Sequence, residues 1–212
     1  MHNFTLNKII IGRSPQEPLD FVFNYCFNAG TIYYINGING SGKTTLMRTV
    51  CGYLPPISGT LLWNGQAMTH IMFGAYYGHQ NGLKQKMSVK EYLTYCMRIF
   101  DKTHSLNDLI SRFKIESFLD IPINYLSCGQ QKRVSLVALL CCDRDFYCFD
   151  EASSGLDSQF KAILYDYMTV LAEQYQKIII FSDHNPPQLS AYTTLNMHDF
   201  THKIPVNAYA LW

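Results

Sequence analysis

Two carboxylates side by side, Asp150 and Glu151, close the apolar run Phe146-Tyr147-Cys148-Phe149, and far upstream a lysine ends the glycine-rich segment Gly37-Ile38-Asn39-Gly40-Ser41-Gly42-Lys43-Thr44. That segment fits the G-x-x-x-x-G-K-[ST] pattern, in which Gly37, Asn39, Gly40, Ser41 and Gly42 form a loop whose backbone N–H groups close around phosphate oxygens. A helix starting at the end of the loop adds a favourable dipole. In this chemistry Lys43 reaches the β- and γ-phosphates, Thr44 turns its hydroxyl to Mg²⁺, and Thr45 adds a phosphate contact. The adjacent carboxylates divide labour: Asp150 binds Mg²⁺ directly or through water, and Glu151, pointing elsewhere, polarises the attacking water as a general base. A third segment, Leu126-Ser127-Cys128-Gly129-Gln130, combines a small hydroxyl, a glycine and a helix start, which makes a second anion site with little bulk. The chain therefore has two phosphate-binding helix starts.

These residues need a scaffold that holds strand ends and helix starts together. Thr31 to Ile35 is a continuous apolar run, as is Ile178 to Ser182, and both fit strands buried on two faces. Phe4 to Ile11 and Leu19 to Phe27 are rich in β-formers, with a turn-forming connection between them, and predict an antiparallel opening. Thr60 to Trp63 runs into Asn64-Gly65, a hairpin signal. Ser88-Val89-Lys90-Glu91 is a capping box that opens a mostly helical insert. The insert continues through Leu106 to Phe113 and Ile115 to Ile121, and stops at Pro122. Gln130 to Cys142 and Ser158 to Tyr175 read as further helices. The expected fold is α/β: a mostly parallel core sheet, an N-terminal antiparallel β subdomain and an inserted helical subdomain at about 83–142, all in one domain spanning 1–212.

The totals agree with one folded domain: 212 residues, 48% hydrophobic and 16% charged. A formal net charge of +1 provides no field to hold nucleic acid. Seven cysteines, none in a C-x-x-C pair, fit buried thiols in a reducing compartment rather than a metal site. No leader pattern opens the sequence, and no apolar run approaches the ~20 residues of a spanning helix. The expectation is a chain that acts at a membrane only by binding something within it.

The ordered set of motifs resembles the ATP-binding subunits of ATP-binding cassette (ABC) transporters along nearly the whole chain. Leu126 to Gln130 is similar to the family's L-S-G-G-Q signature, with Cys128 replacing its first glycine. The resemblance implies that each signature, through Ser127, Gly129 and Gln130, closes over the nucleotide of a second ATPase subunit in a head-to-tail dimer, expected to be a homodimer. It also implies three roles in family order: Gln80 as the Q-loop residue linking the γ-phosphate and Mg²⁺ to the helical insert, Ser154 to Asp157 as the D-loop, and His184 as the switch histidine. ATP and Mg²⁺ are the implied substrate and cofactor, with Lys43, Gln80, Glu151 and His184 as the catalytic set. Two departures stand out. Ala152 follows Glu151 where the family usually has proline, which predicts a less rigid turn. Ile11-Gly12-Arg13 occupies the region of the usual adenine-stacking aromatic, leaving Arg13 as the planar group there.

Within that family, the strings Tyr77 to Lys84 and Leu126 to Val134, the small size and the short tail after His184 are most similar to the ATPases of the cytochrome c maturation haem exporter, the CcmA type. This implies membrane-spanning permease partners of the CcmB and CcmC type, and a peripheral position on the cytoplasmic face of the inner membrane. Another small ABC exporter, or a soluble ABC ATPase acting on nucleic acid, are the alternatives. The short stretch between Lys43 and Ser127 and the charge balance weigh against the last.

Overall fold

The computed structural model describes residues 2–14, 17–68, 74–78, 82–99, 105–184 and 191–200. Strands β1 (Asn3–Ser14) and β2 (Glu17–Asn28) form the predicted antiparallel opening, and β3 (Ile32–Asn36) follows as a nearly fully buried strand. Helix α1 (Lys43–Val50) starts at the end of the glycine loop and turns Leu46, Met47 and Val50 into the core. Strands β4 (Ser58–Trp63) and β5 (Gln66–Ala67) make the expected hairpin. Both turn residues, Asn64 and Gly65, take positive φ, as a tight two-residue hairpin turn requires. Then come β6 (Gly74–Tyr77), α2 (Val89–Ile99), α3 (Leu106–Arg112), α4 (Cys128–Leu140), β7 (Phe146–Asp150), α5 (Ser158–Glu173), β8 (Ile178–Ser182) and β9 (Thr193–Asn196).

The strands build two sheets. One is antiparallel, in the order β2-β1-β4-β5; the other is parallel, in the order β6-β7-β8-β3-β9. Every residue of β7 and β8 is buried, as expected of parallel strands covered on both faces. One face packs on α1 and the antiparallel sheet, through Phe4, Phe27, Met47, Phe146 and Ile180. The other packs on α2, α3, α4 and α5, through Leu93, Leu109, Val137, Leu164 and Phe181. Helix α5 buries Phe160, Leu164, Tyr167, Met168, Leu171 and Ala172, a stripe at helical spacing that fixes its face against the sheet.

The segment from Ile115 to Ile121 departs from the helical reading. Only Glu116–Phe118 forms a single 3-10 turn, because Lys114 at φ 50 reverses the chain just before it. The capping box on α2 is present as predicted: Ser88 N–H donates to Glu91 Oε2 at 2.8 Å, and Glu91 N–H to Ser88 Oγ at 3.2 Å. No helix among the described residues is long and apolar enough to cross a membrane.

Candidate nucleotide site

The parallel sheet brings distant segments together at the carboxyl ends of its strands, where open α/β sheets bind ligands. Strand β3 ends in the loop Gly37 to Gly42, which leads directly into α1. Gly42 has φ 97, a left-handed backbone that favours glycine, and a side chain there would press on the tip of Leu19 of β2. Asn39 and Gly40 are exposed at the loop tip. The Ser41 hydroxyl is buried with no hydrogen-bond partner among the described residues, an orphan polar group inside the loop. Lys43 folds back over the loop, its Nζ donating to the carbonyls of Gly37 at 2.7 Å and Ile38 at 3.1 Å. Thr44 and Thr45 follow on the first turn of α1, both half-buried.

Asp150 closes β7 at 2% exposure and accepts three hydroxyl hydrogen bonds. Thr44 Oγ1 donates to its Oδ2 at 2.6 Å, Tyr76 OH to the same oxygen at 2.9 Å, and Ser182 Oγ to Oδ1 at 2.8 Å. Thr44 and Asp150 are thus joined across 106 residues of chain. Burial, and then the neighbouring Asp150 charge, push the Tyr76 phenol well above its ordinary range, so it remains a donor. Tyr76 and Ser182 were not among the residues singled out from the sequence. Ser182 had a readable signal, since it ends the strand beside β7 and stands in register with Asp150.

Glu151 takes φ 53, a left-handed conformation that a glutamate rarely adopts. The turn sends its side chain away from Thr44 and toward His184, whose Nε2 lies 3.4 Å from Glu151 Oε1. The two adjacent carboxylates therefore face different partners. The turn after Glu151 is fastened despite lacking proline: Ala152 and Ser153 are buried, Ser154 N–H donates to the Glu151 carbonyl at 3.0 Å, and Lys132 of α4 donates to the Ser154 carbonyl. Asp157 caps α5 by accepting from Phe160 N–H at 3.0 Å.

The second helix start is also capped. Ser127 N–H donates to Gln130 Oε1 at 2.8 Å and Gln130 N–H to Ser127 Oγ at 3.3 Å, a reciprocal capping box that opens α4 at Cys128. Because Ser127 Oγ accepts in this cap, its own proton stays available for an anion. Among the described residues, nothing stands within 4 Å of where a Gly129 side chain would begin, so the helix start is open there. Arg133 on the same helix lies 4.1 Å over the Phe160 ring and fixes α4 against α5. Gln80 and the side chain of Arg13 lie outside the described residues, while Ile11 is fully buried in the sheet.

A strand-loop-helix phosphate cradle, a buried strand-end carboxylate and an independently capped second helix start define a nucleotide-hydrolysing cassette. The ABC transporter family matches residues 22–154, and the chain belongs to that family as an ATP-binding and ATP-hydrolysing subunit. Among characterised relatives, it is 32% identical to the cytochrome c biogenesis ATP-binding export protein CcmA of Rickettsia felis over 77% of this chain and 85% of that protein. It is 34% identical to the protein of the same name from Escherichia coli K12, over 77% of this chain and 80% of the other. In fold it is similar to a putative ABC transporter ATP-binding protein from Pyrococcus furiosus, with a TM-score of 0.79 at 21% identity, covering 94% of this chain and 99% of that one.

Proposed function

We propose that this chain is the ATPase of a haem exporter complex for cytochrome c biogenesis, working as a homodimer under membrane subunits of the CcmB and CcmC type. The observation that carries the reading is its identity of about one third to CcmA proteins over three quarters of the chain. Those names specify cytochrome c biogenesis and export; haem as the cargo follows from the family resemblance.

On this reading Gly37, Asn39, Gly40, Ser41, Gly42 and Thr45 cradle the phosphates, and the orphan Ser41 hydroxyl supports it by leaving a buried donor for an anion. Lys43 holds two loop carbonyls and has a third N–H for the β- or γ-phosphate. Mg²⁺, the cofactor the family implies, fits the donor set: Thr44 gives its proton to Asp150 and keeps its oxygen lone pairs for a hard cation. Asp150, already accepting three hydroxyls, polarises that ligand, and Gln80 joins from the segment after β6. When bound, the ion neutralises charge developing on the β- and γ-oxygens. Glu151 takes the proton of the attacking water, and His184 beside it contacts the γ-phosphate. Ser127, Gly129 and Gln130 complete the site of the opposite subunit, as the open start of α4 supports.

We also assign one domain to residues 1–212, with the helical part inserted at about 83–142. A cavity of about 590 Å³ between α1, β6, α2 and α4, lined by Arg48, Tyr53, Tyr76, Cys96 and Arg144 among others, supports docking of a cytoplasmic helix of the permease there. That contact would hold the chain on the cytoplasmic face of the inner membrane. The test is purification of the tagged chain from native membranes, with identification of its partners and absorption spectroscopy for haem. Co-purification of cytochrome c maturation permeases is the expected result; recovery of an unrelated permease, or of nucleic acid, would overturn the haem-export reading.

A further inference from the structure

His184 is 58% exposed and its imidazole is not clamped by packing, yet the residue before it is held on three sides. Asp183 Oδ1 accepts the His184 backbone N–H at 2.8 Å. Its other oxygen, Oδ2, accepts the Tyr165 hydroxyl of α5 at 2.6 Å, and its carbonyl accepts the Tyr34 hydroxyl of β3 at 3.0 Å. The Tyr165 hydroxyl also lies beside the side chain of Ser153, which is 2% exposed in the turn that follows Glu151. A line of hydrogen bonds therefore runs from Tyr165 of α5 through Asp183 to the backbone of His184, and its α5 end lies beside the turn that carries Glu151.

We propose that Tyr165 and Asp183 are positioning residues that fix His184 relative to Glu151 and couple its placement to the Ser153–Asp157 turn. This rests on reading Glu151 and His184 as the general base and the γ-phosphate contact. The physical case is one of leverage. The 3.4 Å approach of His184 to Glu151 joins two side chains that stand on separate strand ends, β8 and β7. The backbone of one is fastened by Asp183 and that of the other by the turn containing Ser153, and the Tyr165 hydroxyl, bonded to Asp183, stands between the two. Tyr165 is well suited to this, because α5 is the helix that Asp157 caps, so any displacement of the turn by a second subunit moves the helix start and the bridge together. The carboxylate has no spare role, since each of its oxygens is occupied by one end of the bridge. Burial, followed by the bond to Asp183, raises the Tyr165 phenol, which keeps its proton in place for donation across the physiological range.

The test uses Tyr165→Phe, which retains the ring and removes only the bridging hydroxyl, beside Asp183→Ala and Asp183→Asn, in the membrane assembly that purifies with the full chain. Wild-type turnover and its loss in His184→Ala measure the underlying reading separately. Tyr165→Phe and Asp183→Ala are expected to lower kcat on the order of tenfold or more while KM for ATP stays within about twofold, because misplacing a catalytic group costs rate rather than ground-state binding. The double variant should be no worse than Asp183→Ala alone, since both changes cut one line. Asp183→Asn should recover most of the rate: its oxygen still accepts from His184 N–H and its amide donates to Tyr165. Independently of turnover, hydrogen exchange of the His184 amide should accelerate in Tyr165→Phe. Unchanged kcat in Tyr165→Phe with normal His184 amide protection, or additive losses in the double variant, would overturn the proposal.

Discussion

The Thr44 hydroxyl donates to Asp150 Oδ2 over 2.6 Å, and this bond ties the first turn of α1 to the end of β7. It sets the orientation of the Thr44 hydroxyl, the cation ligand proposed above, and makes Asp150 its partner.

Asp150→Asn should therefore weaken Mg²⁺-dependent ATP binding and hydrolysis together, because an amide meets hydroxyl donors with a donor of its own. Asp150→Ala should in addition destabilise the fold by at least about 1–3 kcal/mol, since three hydroxyls lose their acceptor in a buried place. Denaturant unfolding and a Mg²⁺ titration of nucleotide binding separate the two effects.

Glu151→Gln should reduce turnover by about 10²–10⁴-fold while ATP binding persists. With ATP bound and not consumed, the variant should accumulate as a dimer in light scattering, where the chain of 24.4 kDa doubles its mass. Normal turnover would remove Glu151 from the role of base.

The two capping boxes make a matched pair. Ser88→Ala and Ser127→Ala should each cost about 1 kcal/mol of stability, because each leaves a helix-start N–H without its acceptor. Only Ser127→Ala should also impair ATP-driven dimerisation, since Ser127, unlike Ser88, belongs to the proposed signature.

Much of this was legible in the sequence because it is written in local chemistry. The phosphate loop, the Asn64-Gly65 turn and both Ser-x-x-Glu/Gln caps each depend on residues within a few positions of one another. What was not legible depends on partners far apart in the chain. Strand β6 is four residues and β9 another four, too short for a periodic signal, and both are defined by pairing to β7 and β3. The helical reading of Ile115 to Ile121 takes no account of the left-handed Lys114 that precedes it, which nothing in the local sequence announces. Tyr76 and Asp183 look like ordinary strand-end residues until the fold sets them beside Asp150 and His184. The placement of Gln80 lies outside the described residues.

Acid should act on the cap of α2 with a definite sign. Hydrogen bonds from the Ser88 backbone and side chain hold the Glu91 carboxyl below its ordinary value of 4.5. A depressed carboxyl contributes stability above its unfolded pKa and loses it as pH falls through the folded one. Wild type should therefore be more stable than Glu91→Gln at neutral pH, and the difference should shrink as pH falls below the ordinary value of 4.5, as read by denaturant unfolding across that range.

Thiol accessibility gives a probe of the signature. Cys26 and Cys128 are exposed, whereas Cys51, Cys96, Cys141, Cys142 and Cys148 are buried. Burial also pushes the Cys142 thiol up to about 11. A maleimide at pH 7 should label Cys26 and Cys128 alone, and Mg-ATP should protect Cys128 but not Cys26 when a second subunit closes over it. Mass spectrometry of the labelled peptides reads both outcomes.

The central claim is that each working site takes its phosphate loop from one chain and its signature from another. Mixing two inactive variants, Lys43→Ala and Ser127→Arg, tests it most directly: each variant alone lacks one half of both sites, and the mixed dimer contains one site with both halves intact. ATP turnover that is absent from either variant and reappears on mixing is the predicted result. Continued silence of the mixture, once its mixed dimers have been shown to form, would contradict the two-chain site.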